Sequence, residues 1–143
     1  MKFIVILVLI IATAMSQGVD LIDQDFLNGV VTDSQGITTG AWFIEFYNPS
    51  CPHCKKFAPT WESFTTSYSG QGVNFGRVDC IAYRSTCSRF GIWGVPTMMF
   101  FYGNTVGEYL GHNDYESLSS FLVNSEFNNR SKFDKWPVPV AKR

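Results

Sequence analysis

Two thiols two residues apart stand in Cys51-Pro52-His53-Cys54. Such a pair can close a disulfide with little backbone movement, can exchange it with other thiols, or can supply half of a four-ligand zinc site. The surroundings of the first sulfur favour exchange. A helix N-terminus offers unpaired N–H groups and about half a positive charge. A thiolate placed there is stabilised, so its pKa falls below the free value of about 8.5. Pro52 suits the first turn of a helix, where a missing N–H costs little. His53, when protonated, and Lys55 add positive charge nearby. Redox exchange is therefore the favoured reading of Cys51 and Cys54, with a structural bridge and half of a zinc site as the other two.

A strand and a helix must hold these sulfurs. Trp42, Phe43, Ile44, Phe46 and Tyr47 leave neither alternate face polar, which predicts a strand buried on both sides. Glu45 is the one charge in that run; a carboxylate so placed is costly to ionise, and its pKa should be raised. Asn48-Pro49-Ser50 ends the strand. Beyond Cys54, residues Phe57, Trp61, Phe64 and Tyr68 recur at helical spacing as one apolar stripe, with Pro59 expected to kink it.

Taken together, Trp42-Phe43-Ile44-Glu45-Phe46-Tyr47, the Cys-Pro-His-Cys turn and Lys55-Lys56-Phe57-Ala58-Pro59-Thr60-Trp61 resemble the active-site segment of the thioredoxin superfamily. The resemblance is nearest to the protein disulfide isomerase branch, including thioredoxin-related transmembrane proteins and the thioredoxin domain of quiescin sulfhydryl oxidases. It covers Val19–Glu126. It implies an α/β thioredoxin fold, a central mixed β-sheet flanked by helices on both faces. It also implies roles. Cys51 would be the nucleophile and Cys54 the resolving thiol, while Glu45 would accept the Cys54 proton. His53 would stabilise the Cys51 thiolate and poise the site toward the oxidising end, as in bacterial periplasmic oxidants with the same four residues. Pro96, which on its own marks a strand entrance, would be cis and would offer backbone to an extended substrate. Cys80 and Cys87 would form a structural disulfide; a second redox pair, or zinc shared by all four cysteines, are the alternatives. Two positions depart from the pattern. Ser50 replaces the tryptophan usual before the first cysteine. His112 replaces an arginine common in isomerases, and could modulate Cys54 only when protonated. Both weaken isomerisation more than oxidation or reduction.

The chain has 143 residues, 45% apolar and 16% aromatic, enough for one domain with a real core. A formal net charge of −1 makes no electrostatic case for nucleic acid. Lys2, the apolar run Phe3–Ala12 and small residues up to Ser16 read as a signal peptide over residues 1–16, with an uncleaved anchor as the alternative. Four cysteines after such a start favour oxidised pairs. Residues 17–126 read as one thioredoxin-like domain with element order β α β α β α β β α. Residues 127–143 are polar and basic with Pro137 and Pro139, and are expected to be a flexible tail. Asn129-Arg130-Ser131 is a glycosylation acceptor pattern. The C-terminus lacks a Lys-Asp-Glu-Leu-like retrieval signal, so the expected location is the endoplasmic reticulum lumen or outside the cell.

These readings converge on a secretory-pathway thiol–disulfide oxidoreductase, monomeric and free of the membrane after signal cleavage. Its partners would be cysteine-containing protein substrates and an upstream thiol oxidase or reductant. No metal or organic cofactor is expected, and isomerase power should be modest. The competing class is a non-catalytic client-binding module that uses the surface around Ser50, Trp93 and Pro96. Retention of both Cys51 and Cys54 argues against it, since binding alone needs neither.

Overall fold

The computed structural model describes residues 18–27, 29–128 and 133–139. Its centre is a mixed six-stranded sheet. The strands are β1 (Val19–Asp20), β2 (Ala41–Tyr47), β3 (Val73–Asp79), β4 (Thr97–Tyr102), β5 (Thr105–Tyr109) and β6 (Phe133–Pro137), in the order β1-β3-β2-β4-β5-β6. β2 lies between β3, parallel to it, and β4, antiparallel to it. Among the described residues three α-helices accompany the sheet: α1 (Pro52–Tyr68), α2 (Arg84–Arg89) and α3 (Tyr115–Val123).

The two apolar faces of β2 make two cores. Trp42, Ile44 and Phe46 join Phe26, Val78, Cys87, Phe90, Met99 and Phe101 on the face covered by α2 and a 3-10 turn at Asp23–Phe26. Phe43 points the other way, into Phe57, Trp61 and Phe64 of α1, Leu118 and Phe121 of α3, and Phe75, Met98, Phe100 and Tyr109 of the sheet. Its ring centroid lies 5.3–5.9 Å from those of Trp61, Phe64, Phe100, Tyr109 and Phe121, tilted or edge-on in each case. That packing uses the edge-to-face preference of aromatic rings. Gly76 of β3 is small because Leu21 lies against it: a Cβ there would collide with the leucine side chain.

α1 runs unbroken through Pro59, which sits on its exposed side. There the carbonyl that loses its partner is within reach of water. The first helical element of the chain is only the one 3-10 turn at Asp23–Phe26, after which Val31 is buried and Val30 exposed.

For residues 127–128 and 133–139 the reading as a flexible tail is corrected. Phe127 stacks on Phe100 with ring centroids 4.5 Å apart, so the domain continues past Glu126. β6 then pairs antiparallel with β5, from Tyr109↔Phe133 to Thr105↔Pro137. Val138 is buried and its N–H donates to the Asn104 carbonyl at 2.9 Å. An edge strand is held by main-chain bonds on one side only, so it needs no apolar alternation and tolerates a proline at its end. Those are the features that make this segment look unstructured in the sequence. The proposed signal peptide at residues 1–16 and the glycosylation candidate Asn129 lie outside the described residues.

Candidate active site

β2 delivers the chain to a tight turn. The Asn48 side-chain oxygen accepts the Ser50 N–H at 2.8 Å, and the Asn48 carbonyl accepts the Cys51 N–H at 3.1 Å. Asparagine favours such turns because its side chain mimics a backbone acceptor. The turn leaves Cys51 as the N-cap of α1, in extended backbone conformation, with Pro52 opening the helix. The Cys51 carbonyl accepts the first helical bond, from Lys55 N–H at 3.0 Å.

The two sulfurs differ in environment. Cys51 is partly exposed and Cys54, one turn on, is buried; neither is bridged. Cys51 makes no side-chain capping hydrogen bond, but the Cys54 N–H foremost, opposed by desolvation and helped by the His53 N–H and the Cys54 thiol, draws its pKa below the ordinary thiol value. The His53 backbone N–H thus takes part in stabilising the thiolate, and the His53 side chain is exposed. Cys54 is pushed up to about 11, chiefly by burial. The Asn48 backbone eases that rise, while the Cys51 sulfur and the Glu45 charge add to it.

Glu45 lies within electrostatic reach of Cys54 on the α1 side of β2, fully buried. Burial raises its pKa, and Arg77 partly offsets the rise. Arg77 sits opposite Glu45 in the β2–β3 register, and its Nε donates to Glu45 Oε2 at 2.9 Å. Its guanidinium also stacks over the Tyr47 ring at 3.9 Å. Among the described residues Glu45 Oε1 has no hydrogen-bond partner. Arg77 is the site residue that the sequence reading missed. The available signal was a lone cation in a strand that must lie beside the lone carboxylate of β2.

Other singled-out residues gather around the same end of the sheet. The Val95–Pro96 peptide is cis, directly before β4. Since Thr97 pairs with Phe46, this bond flanks the turn that carries Cys51. Cys80 and Cys87 are joined in a disulfide, Cα atoms 5.7 Å apart, linking the end of β3 to α2. That bridge removes two sulfurs from any shared zinc site. Among the described residues no group of three or more His, Cys, Asp or Glu side chains could hold a metal ion. His112 follows β5 at this end too, but its contacts lie at the start of α3. Its carbonyl accepts from Tyr109 Oη at 2.8 Å, and its imidazole helps hold the Asp114 carboxyl below the usual range, behind the larger effect of the Ser117 hydrogen bonds.

Comparison with known proteins fits this geometry. The family described as Thioredoxin matches residues 20–124. A thioredoxin domain-containing protein of Theileria parva is 37% identical over 110 residues, 76% of this chain and 49% of the relative. Protein disulfide-isomerase 5-1 of Arabidopsis thaliana is 41% identical over 85 residues, 58% of each chain. The chain thus spans about half the length of these relatives. Among solved structures, the J-Trx1 fragment of ERdj5 superposes with a TM-score of 0.66 at 29% identity, covering 76% of this chain and 51% of that one. With a mixed sheet between two helical layers, a Cys-x-x-Cys turn opening α1 and that span of family similarity, the chain belongs to the thioredoxin family, on its protein disulfide isomerase branch.

Proposed function

We propose that the protein is a thiol–disulfide oxidoreductase acting on protein substrates through Cys51 and Cys54. The observation that carries this reading is the asymmetry of the two thiols: an accessible Cys51 with a lowered pKa and a buried Cys54 pushed up to about 11. In the reducing direction the Cys51 thiolate attacks one sulfur of a client disulfide, and the other client sulfur leaves as a thiolate. Cys54 then gives its proton to Glu45 and attacks the Cys51 sulfur. The client is released with two thiols, and the Cys51–Cys54 pair holds the disulfide. The oxidising direction is the reverse.

Each residue has one task in this scheme. Glu45 Oε1, free of other partners, takes the proton, while Arg77 holds the other oxygen in place. The high pKa of Cys54 keeps it protonated until the mixed disulfide forms. The N–H groups favouring the Cys51 thiolate also favour the reduced pair, which makes the disulfide the more oxidising. This supports net oxidation of clients, with isomerisation secondary. The bridged Cys80–Cys87 pair acts as a structural clamp, and it supports a place in the secretory pathway, where such bonds persist.

Trapping tests the reading. A Cys54→Ala variant should accumulate mixed disulfides with protein clients through Cys51, visible on non-reducing gels and erased by a further Cys51→Ser change. Absence of such adducts, together with no insulin reduction by the wild-type chain, would rule the function out.

A further inference from the structure

The loop ahead of Pro96 carries an aromatic side chain that the thiol chemistry does not use. Trp93 is 98% exposed, the most exposed large apolar side chain among the described residues. Its backbone is pinned on both sides. The Gly91 N–H donates to the Ser88 carbonyl at 3.1 Å and the Ile92 N–H to the Cys87 carbonyl at 2.9 Å. Thr97 Oγ1 donates to the Gly94 carbonyl at 2.6 Å. Gly91 takes φ +67, a conformation side-chain-bearing residues rarely adopt, and so lets the chain turn out of α2. Cys87, the anchor of Ile92, is itself bridged to Cys80. The indole is thus presented to water from a fixed loop, and a contact made to it costs little ordering of this chain.

Its position follows from register. Tyr47 pairs with Asp79 and Phe46 with Thr97, so the segments leading to Cys51, to Ile81 and back to Trp93 all emerge at one end of the sheet. Ile81 is 52% exposed, and Val95 and Pro96 are half-buried. Beside Trp93 lies a cleft of about 340 Å³ lined by Phe90, Ile92 and Met99, with Arg89 and Glu108 also on its wall. The two charges are of opposite sign, and Arg89 already donates to the Phe26 carbonyl, so the cleft selects for no net charge. An extended client held by its sulfur at Cys51 must run across this end of the molecule.

We propose that Trp93 is a specificity-determining residue for the client chain. It receives an aromatic or aliphatic side chain of an extended segment, close in sequence to the client cysteine, while that cysteine is bonded to Cys51. The inference rests on the thiol–disulfide reading, because the mixed disulfide is what holds the client here. The chemistry is chosen by the largest gain available: an aromatic side chain offers about 150–250 Å² to cover, and Val95, two residues on, and Ile81, at the same end of the sheet, are apolar as well.

Two peptides, alike except for Phe or Ser near their single cysteine, serve as the test. Each is supplied as a mixed disulfide with thionitrobenzoate. The Cys51 thiolate bonds to the peptide sulfur and thionitrobenzoate leaves as a coloured thiolate; Cys54 then releases the peptide thiol. In a single turnover of the pre-reduced chain, the second-order rate constant for thionitrobenzoate release should favour the Phe peptide by about tenfold, within the range of an energetically significant interface side chain. Trp93→Ala should bring the ratio close to one by weakening saturation with the Phe peptide, and Trp93→Phe should keep most of it. In a Cys54→Ser variant, the trapped Phe peptide should shield Trp93 fluorescence from acrylamide. A wild-type ratio that survives Trp93→Ala overturns the inference. So does an equal loss of the limiting single-turnover rate on both peptides, or self-association through Trp93 without an effect on the ratio. Failure of the wild-type chain to release thionitrobenzoate from any disulfide would instead sink the thiol chemistry, and this inference with it.

Discussion

Cys51 and Cys54 share a helix, yet their acidities move in opposite directions, because backbone N–H groups favour the first thiolate and burial disfavours the second. Glu45 carries the same logic one layer deeper. Its folded-state pKa is raised above the ordinary carboxylate value by desolvation. The stability tied to this group is therefore fully present below the ordinary carboxylate range and is lost as pH rises through the raised value. Glu45→Gln should remove that loss, so that urea midpoints fall less between acid and neutral pH than in the wild-type chain. The same variant should slow resolution of the mixed disulfide about a hundredfold or more while leaving the first attack by Cys51 unchanged, as read by stopped-flow kinetics. At this scale the sequence was readable where the signal was local. A lone carboxylate in an apolar run announces itself. Its partner Arg77 did not, because the pairing depends on the Glu45↔Arg77 register between strands 32 residues apart.

Among the elements, the β2–turn–α1 unit was the most legible, since two-sided burial, the strand-ending Asn48-Pro49-Ser50 and the helical stripe all agree. β6 was the least legible. Its order comes from main-chain bonds to β5 and from the buried Val138, neither of which leaves a periodic mark. The Cys80–Cys87 bridge closes a short loop between β3 and α2, with a sequence separation of 7. Replacing both cysteines by serine should cost about 2–3 kcal/mol in urea unfolding. The loop carrying Ile92 and Trp93 should then exchange its amide hydrogens faster, because Ile92 N–H is bonded to the Cys87 carbonyl.

For the molecule as a whole, the sheet divides the interior in two, and β2 serves both halves. Phe43 sits among five aromatic rings contributed by α1, β4, β5 and α3. Phe43→Ala should lower stability by about 3–5 kcal/mol in a urea titration, more than any change on an exposed face. The fold class could be read from alternating apolar segments, but the assignment of each face to its helices required the strand order, which local pattern does not encode. One further consequence concerns attachment. The Gly103–Asn104 hairpin lies at the end of the sheet away from Cys51, and Val138 is hydrogen-bonded to Asn104 there. A tether joined just beyond residue 139 would therefore start from the rear pole of the molecule. A bead, a membrane stalk or a fused neighbour hung from that point would leave the sulfurs facing outward, open to whatever chain approaches.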